Sequence, residues 1–209
     1  YTIPHGGGGH GFGCGDINGD SRLDLVFAGG WLEAPEDPFA VDQWKWHPEF
    51  DLGGASVPIL VFDVNQDGLN DLIVGQAHDY GLAWYEQQET ENGGRTWIKH
   101  PIDDTWSQVH DLQLHDIDND GELELITGKR YRAHNEHDPG SFDPLGVYYY
   151  KISKGNFQRF TIDYGPADRA SGVGIYFWVC DIDANGWKDI VAPGKEGLFL
   201  YRNRDPFQP

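Results

Sequence analysis

One acidic pattern occurs four times in the 209 residues: Asp-x-(Asn/Asp)-x-(Asp/Asn)-x-x-x-(Asp/Glu), at 16–24, 63–71, 116–124 and 181–189. A short apolar run follows each copy: Leu25-Val26-Phe27, Leu72-Ile73-Val74, Leu125-Ile126-Thr127 and Ile190-Val191-Ala192. Side-chain oxygens at positions 1, 3, 5 and 9, with a main-chain carbonyl at position 7, wrap one hard cation. Six to eight oxygen ligands in a tight loop is calcium chemistry. The expected ligand sets are Asp16, Asn18, Asp20, Arg22 and Asp24; Asp63, Asn65, Asp67, Leu69 and Asp71; Asp116, Asp118, Asp120, Glu122 and Glu124; and Asp181, Asp183, Asn185, Trp187 and Asp189. Arg22, Leu69, Glu122 and Trp187 enter through their carbonyls. Position 6 must turn sharply at positive φ, and it is Gly68, Gly121 and Gly186 in three copies. Ser21 holds it in the first, which predicts a strained loop.

A lone Asp-Asn-Gly cluster reads as an ordinary turn. Four in register, each feeding a strand-like run, do not. They are not EF-hands either, because the following runs are short and β-branched and carry no Glu at position 12.

The copies recur about every 50 residues, which describes one repeat architecture and not separate domains. A strand is expected ahead of each loop, at 10–15, 57–62, 110–115 and 175–180. Even offsets before the first Asp are apolar in every copy: Phe12 and Cys14, Ile59 and Val61, Leu112 and Leu114, Phe177 and Val179. A second strand follows the loop. A third lies at 31–33, 82–86, 147–150 and 198–201, and a fourth at 44–48, 97–101 and 157–162. Four antiparallel strands per repeat make the blade of a β-propeller, so the fold class is all-β. The blades run at about 8–50, 55–103, 108–163 and 173–209 of a single domain. The last lacks its fourth strand, and Tyr1-Thr2-Ile3 resembles the tail of one. Either the N-terminus pairs into the last blade, or four blades belong to a larger ring; the start at Tyr1 favours the second.

The formal charge is −19, but thirteen of the acidic side chains are loop ligands. No basic cluster is present, which argues against nucleic acid, and no apolar run reaches membrane-spanning length. Loops of this type fill at the millimolar calcium found outside the cytosol, so a secreted or periplasmic protein is expected. Cys14 and Cys180 sit two and one residues before their loops. They are expected on opposite sides of their strands, unpaired, as small buried hydrophobes.

These residues resemble the FG-GAP/VCBS repeat family, the calcium-loop propeller blades also present in integrin α-chain heads. The resemblance covers nearly the whole chain and departs from the pattern at Ser21 and in long insertions after Gly128 and Phe160. It implies a propeller with inner strands ahead of the loops and calcium sites on one face. A limited similarity extends to the propeller of aldos-2-ulose dehydratases, whose comparable loops are preceded by a His and which is associated with zinc-dependent sugar dehydration.

His10 and His110 occupy the same repeat position, six residues before the first Asp. At about 3.3 Å per residue they stand roughly 20 Å from their own loops, on the opposite face near the axis. The second strand delivers His78 in the second repeat and Lys129, Arg130 and Tyr131 in the third to that face. His134, His137 and Asp138 follow in the polar insertion 129–145. Three neutral imidazoles suit zinc or a similar transition metal, which could polarise a sugar carbonyl or activate water. A His or Tyr base with Lys129 or Arg130 stabilising an anion would suit β-elimination from a uronic acid. Tyr80, Trp84, Trp106, Tyr131 and Trp31 are expected as platforms for sugar rings, though most of the eight Trp should pack the blades. The expected ligand is therefore a carbohydrate or small molecule, and the alternative is a non-catalytic adhesion module that binds protein.

Overall fold

The computed structural model describes residues 1–3 and 10–206. Four antiparallel sheets follow one another along the chain. The first contains β1 (Phe12–Gly15), β2 (Asp24–Phe27), β3 (Gly30–Glu33) and β4 (Lys45–His47). The second contains β5 (Leu60–Phe62), β6 (Asp71–Gly75), β7 (Tyr80–Glu89) and β8 (Arg95–Ser107). The third contains β9 (Val109–His115), β10 (Glu124–Lys129), β11 (Leu145–Ser153) and β12 (Asn156–Gly165). The fourth has three strands, β13 (Trp178–Cys180), β14 (Asp189–Gly194) and β15 (Gly197–Tyr201). Each is a blade in which sequence neighbours pair, and each acidic loop joins the first strand to the second. Among the described residues no strand pairing joins the first sheet to the last. Tyr1–Ile3 are unpaired, and the Tyr1 ring lies 5.2 Å from that of Phe39 in the first blade.

The repeat appears again in the loop hydrogen bonds. The position-1 carboxylate accepts the position-6 amide in every copy: Ser21 to Asp16, Gly68 to Asp63, Gly121 to Asp116 and Gly186 to Asp181. The position-9 carboxylate is buried and accepts the position-2 amide in all four, from Ile17, Val64, Ile117 and Ile182. In three copies its second oxygen accepts an amide from the end of the third strand or just past it: Ala34 to Asp24, Gln87 to Asp71, Asn203 to Asp189. The same carboxylate therefore clamps the loop to its own blade. Ser21 takes the left-handed conformation (φ 68°) that Gly68, Gly121 and Gly186 take at position 6. Position 4 is left-handed in every copy as well, in Gly19, Gln66, Asn119 and Ala184. The sequence pattern gave no sign of this at Gln66 or Ala184.

Blades are joined at the same points. The position-2 carbonyl of each of the first three loops accepts a hydrogen bond from the following blade: Ile17 from Gln87 Nε2, Val64 from the Gly155 amide, Ile117 from Asn203 Nδ2. Asn70 and Lys188, both at position 8, reach the carbonyls of Asp16 and Asp116. Apolar clusters fill the three junctions, around Ile59 and Leu72, around Leu112 and Tyr148, and around Val173 and Phe177. At the first junction β1 presents glycines: a Cβ on Gly13 would lie 2.2 Å from the Ile59 carbonyl oxygen, and one on Gly15 2.4 Å from Val61 Cβ.

Both cysteines are exposed and free, against the expectation of burial. Phe12 and Cys14 share the apolar face of β1 that no preceding blade covers. Cys180 and Trp178 share the face of β13 that no following blade covers.

Two predictions follow from these positions. Gly13→Ala should lower unfolding free energy by several kcal/mol, because backbone and not a flexible side chain blocks its Cβ. Ala184→Gly, by relieving a left-handed alanine, should raise it by about 1 kcal/mol. Denaturant titration measures both.

Candidate functional site

The three histidines brought together by the blades come from three different positions. His10 leads into β1, His110 is in β9, and His78 lies in the turn between β6 and β7. The equivalents of His10 and His110 in the second and fourth blades are Val57 and Ile175, so only two imidazoles come from the repeat position itself. One nitrogen from each of His10, His78 and His110 lies within 4.8 Å of the others. His10 Nε2 and His78 Nε2 are 3.4 Å apart, and the His10 and His110 ring centroids 5.6 Å. The cluster is graded in depth: His10 is exposed, His78 half-buried and His110 buried.

The insertion of the third blade closes over this cluster. His78 Nδ1 donates to Asp138 Oδ2 at 3.0 Å, which leaves its Nε2 lone pair facing His10. His134, in a 3₁₀ turn at Ala133–Glu136, stacks on His78 with ring centroids 4.1 Å apart. The insertion is itself tied to the second blade. Gln108 Nε2 donates to the Pro139 carbonyl and to Ser141 Oγ, and the Tyr80 hydroxyl donates to Asp143. His137 makes no side-chain hydrogen bond or ring contact with the imidazoles among the described residues.

Burial lowers the His110 pKa to about 4, with further repulsion from Arg130 and the other two imidazoles. His10 is lowered too, first by burial and then by His78, His134 and Arg130. Both rings are thus neutral near pH 7 and present lone pairs. His110 Nδ1 is buried without a hydrogen-bond partner. An unpaired buried donor or acceptor costs about 1–3 kcal/mol, so such an atom calls for a ligand. The three imidazoles fit a tetrahedral metal with one position left open.

Lys129, Arg130 and Tyr131 leave β10 in different directions. Lys129 is fully buried, and its Nζ donates to Ser107 Oγ at 2.9 Å beneath the insertion. Burial lowers its pKa to about 8, partly offset by Asp143 and Asp138. Arg130 is the cation that faces His10 and His110. With Tyr131 it lines a groove of about 370 Å³ completed by Gly174, Ile175, Tyr176, Pro193, Gly194 and Lys195.

The aromatic platforms require correction. Trp31, Trp84 and Trp106 are buried and cannot stack on a ligand. Trp31 stacks on His47 at 4.2 Å and Trp84 on His100 at 4.5 Å, as cross-strand pairs between third and fourth strands. Each of these His side chains also bonds a third-strand carboxylate, Glu33 or Glu86. Trp106 donates to the Tyr150 hydroxyl. Tyr80 and Tyr131 keep partly exposed rings.

On the other face the acidic loops offer candidate cation sites. One carboxylate oxygen from each of Asp116, Asp118 and Glu124 lies within 4.8 Å of the others, and the same holds for Asp181, Asp183 and Asp189. Asp116 Oδ1 and Asp118 Oδ1 are buried without a hydrogen-bond partner. In the first loop the Arg22 guanidinium pairs with Asp20. In the second, Asn65 Nδ2 donates to Asp67 Oδ2 at 2.9 Å. Burial raises the Asp71 pKa to about 6 despite the amides of Gln87 and Val64.

Residues 63–127 match the FG-GAP-like repeat family. Over this segment the chain is similar to FG-GAP-like repeats. It starts at the first Asp of the second loop and ends in β10, past the third loop, so it spans one full repeat period and the start of the next. The shared loop hydrogen bonds extend the same unit to the first and fourth copies. No curated protein matches the chain.

The buried lysine gives a pH prediction. Between about pH 8 and 10.5 the unfolded chain carries the Lys129 proton and the folded chain does not, so stability rises with pH across that window. Lys129→Met should flatten this rise in unfolding titrations at pH 8, 9 and 10.

Proposed function

We propose that this FG-GAP-like module is a calcium-stabilised, extracytoplasmic propeller unit that binds or processes carbohydrate at its histidine face. The observation that carries the reading is the convergence of His10, His78 and His110, with a His110 Nδ1 that is buried and has no hydrogen-bond partner. His10, His78 and His110 would hold zinc or a similar divalent metal, with Asp138 fixing the orientation of His78 as outer carboxylates do for ligating imidazoles. Such a metal, when bound, polarises a sugar oxygen or lowers the pKa of a water. The chain's own contribution is positional. Asp138 selects the His78 tautomer, burial keeps His110 neutral, and the anchored insertion shields one side of the cluster. Arg130 lies where negative charge on a ligand would be offset.

Calcium in the acidic loops would serve the scaffold. Neutralising the carboxylates of 116–124 and 181–189 removes repulsion among groups held within a few ångströms, and the position-9 clamp carries that gain to the second strand. Loops that fill at extracellular calcium concentrations support the extracytoplasmic location.

A second reading, a protein-binding module, is favoured by one observation. Trp178, Leu198, Leu200 and Ile182 form an exposed apolar flank on the fourth blade, and each is at least half exposed. Patches of that kind mark interaction surfaces.

Elemental mass spectrometry of protein purified without chelator should find calcium near four per chain and about one zinc or similar metal. Calcium alone would overturn the histidine reading. His110→Ala should lose the transition metal and keep the calcium, Asp67→Ala the converse for one calcium. Asp138→Ala should weaken transition-metal affinity about 10–100-fold. Chelation should lower the melting temperature by more than about 10 °C if the loops hold calcium, because each ion binds only the native state.

A further inference from the structure

The histidine face carries one cation whose head group has no counter-charge bonded to it. Arg130 stands beside His10 and His110, and its guanidinium makes no hydrogen bond or ion pair among the described residues. The neighbouring carboxylates are committed elsewhere. Asp138 serves His78 and lies 3.5 Å from His134. Asp111 accepts the Phe177 and Leu112 amides and Gln113 Nε2. Glu196 accepts the Gly172 amide through Oε1, while its Oε2 is buried without a hydrogen-bond partner. A divalent metal on the three imidazoles would add positive charge beside Arg130. A half-buried cation beside a cationic centre is unfavourable unless a ligand supplies the counter-charge.

The groove that starts at Arg130 is suited to a ring. Tyr131, Ile175, Tyr176 and the β14–β15 turn line it. Ile175 and Tyr176 are 64 % and 50 % exposed, so their apolar faces are open to a ligand. Lys195 is a second cation in the lining, held in place by its bond to the Arg132 carbonyl. A groove lined by two cations and two tyrosines matches an acidic saccharide. Carboxylates meet the cations, and the C–H faces of the pyranose rings lie on Tyr131 and Tyr176.

We propose that the ligand is a carboxylate-bearing saccharide of the uronic acid class, with one carboxylate set between the His10–His78–His110 cluster and Arg130 and its neighbouring unit running along the groove towards Lys195. This rests on the carbohydrate reading above and specifies the charge of the ligand. Arg130 is the specificity residue, because a guanidinium takes a planar carboxylate by two parallel hydrogen bonds.

The test is calorimetric titration of the whole chain with three probes: trigalacturonate, its fully methyl-esterified form, and citrate. The ester keeps shape and removes charge; citrate keeps charge and removes the ring. Trigalacturonate should bind at least about tenfold more tightly than either. Arg130→Gln should remove most of its advantage over the ester while leaving metal content at the wild-type value. The preference should persist, at lower affinity, in chelator-stripped protein, since Arg130 supplies it.

Equal affinity for acid and ester overturns the charge assignment. Citrate binding without trigalacturonate binding overturns the saccharide. Failure of all three probes overturns the groove as a ligand site. Absence of metal together with an Arg130-dependent acid preference would overturn the metal reading and leave this proposal standing.

Discussion

The position-9 carboxylate is the group on which the architecture depends. Asp24, Asp71, Glu124 and Asp189 are each almost fully buried, yet each carries a charge or a titrating proton into an apolar blade. Taking an ion out of water is costly unless hydrogen bonds replace the lost solvation. Here a loop amide in every copy, and in three an amide from the end of the third strand or just past it, replace it. In return the carboxylate fixes the angle between loop, second strand and third strand. The position-2 residue that donates the amide also presents its carbonyl to the next blade. One buried acid per repeat thereby sets both the shape of a blade and the place where the next one docks.

That arrangement positions the histidine face. Because successive blades dock through the same hydrogen bonds, first strands come side by side, and residues six before the loop fall near a common axis. His10 and His110 meet for this reason. His78 joins them from the return turn of the blade between. The face then acquires what the repeat alone does not supply: an acid on His78, a cation beside His110, and a groove towards the fourth blade. These come from the insertion and from the residues at the end of β10, the least repetitive parts of the chain.

The loops and the face divide the chemistry by ligand hardness. Carboxylates and carbonyls at one end suit a hard cation that stiffens the scaffold; imidazoles at the other suit a softer one with an open coordination position. On the reading proposed above, a blade's length would keep the two types apart.

Much of this was legible in the sequence because it is local. The spacing within each acidic loop, the left-handed turn at Ser21, the alternation before the loop and the shared offset of His10 and His110 are fixed by a few neighbouring residues. The matched segment at 63–127 has this same local unit. What tertiary packing alone decided depends on which surface meets which. Trp31 and Trp84 are aromatic in either role, and only the cross-strand partners His47 and His100 made them packing residues. Cys14 falls in the inward alternation and Cys180 does not, yet both are exposed, because burial needs a neighbouring blade and none covers their faces among the described residues. Lys129 and Arg130 are adjacent in sequence, and the strand's pleat sent one under the insertion and the other to the imidazoles. Asp138 reaches His78 across 60 residues, a distance that no periodicity encodes. Local periodicity determined the blade and its loops; the docking of one blade on the next decided which of their polar residues became a site.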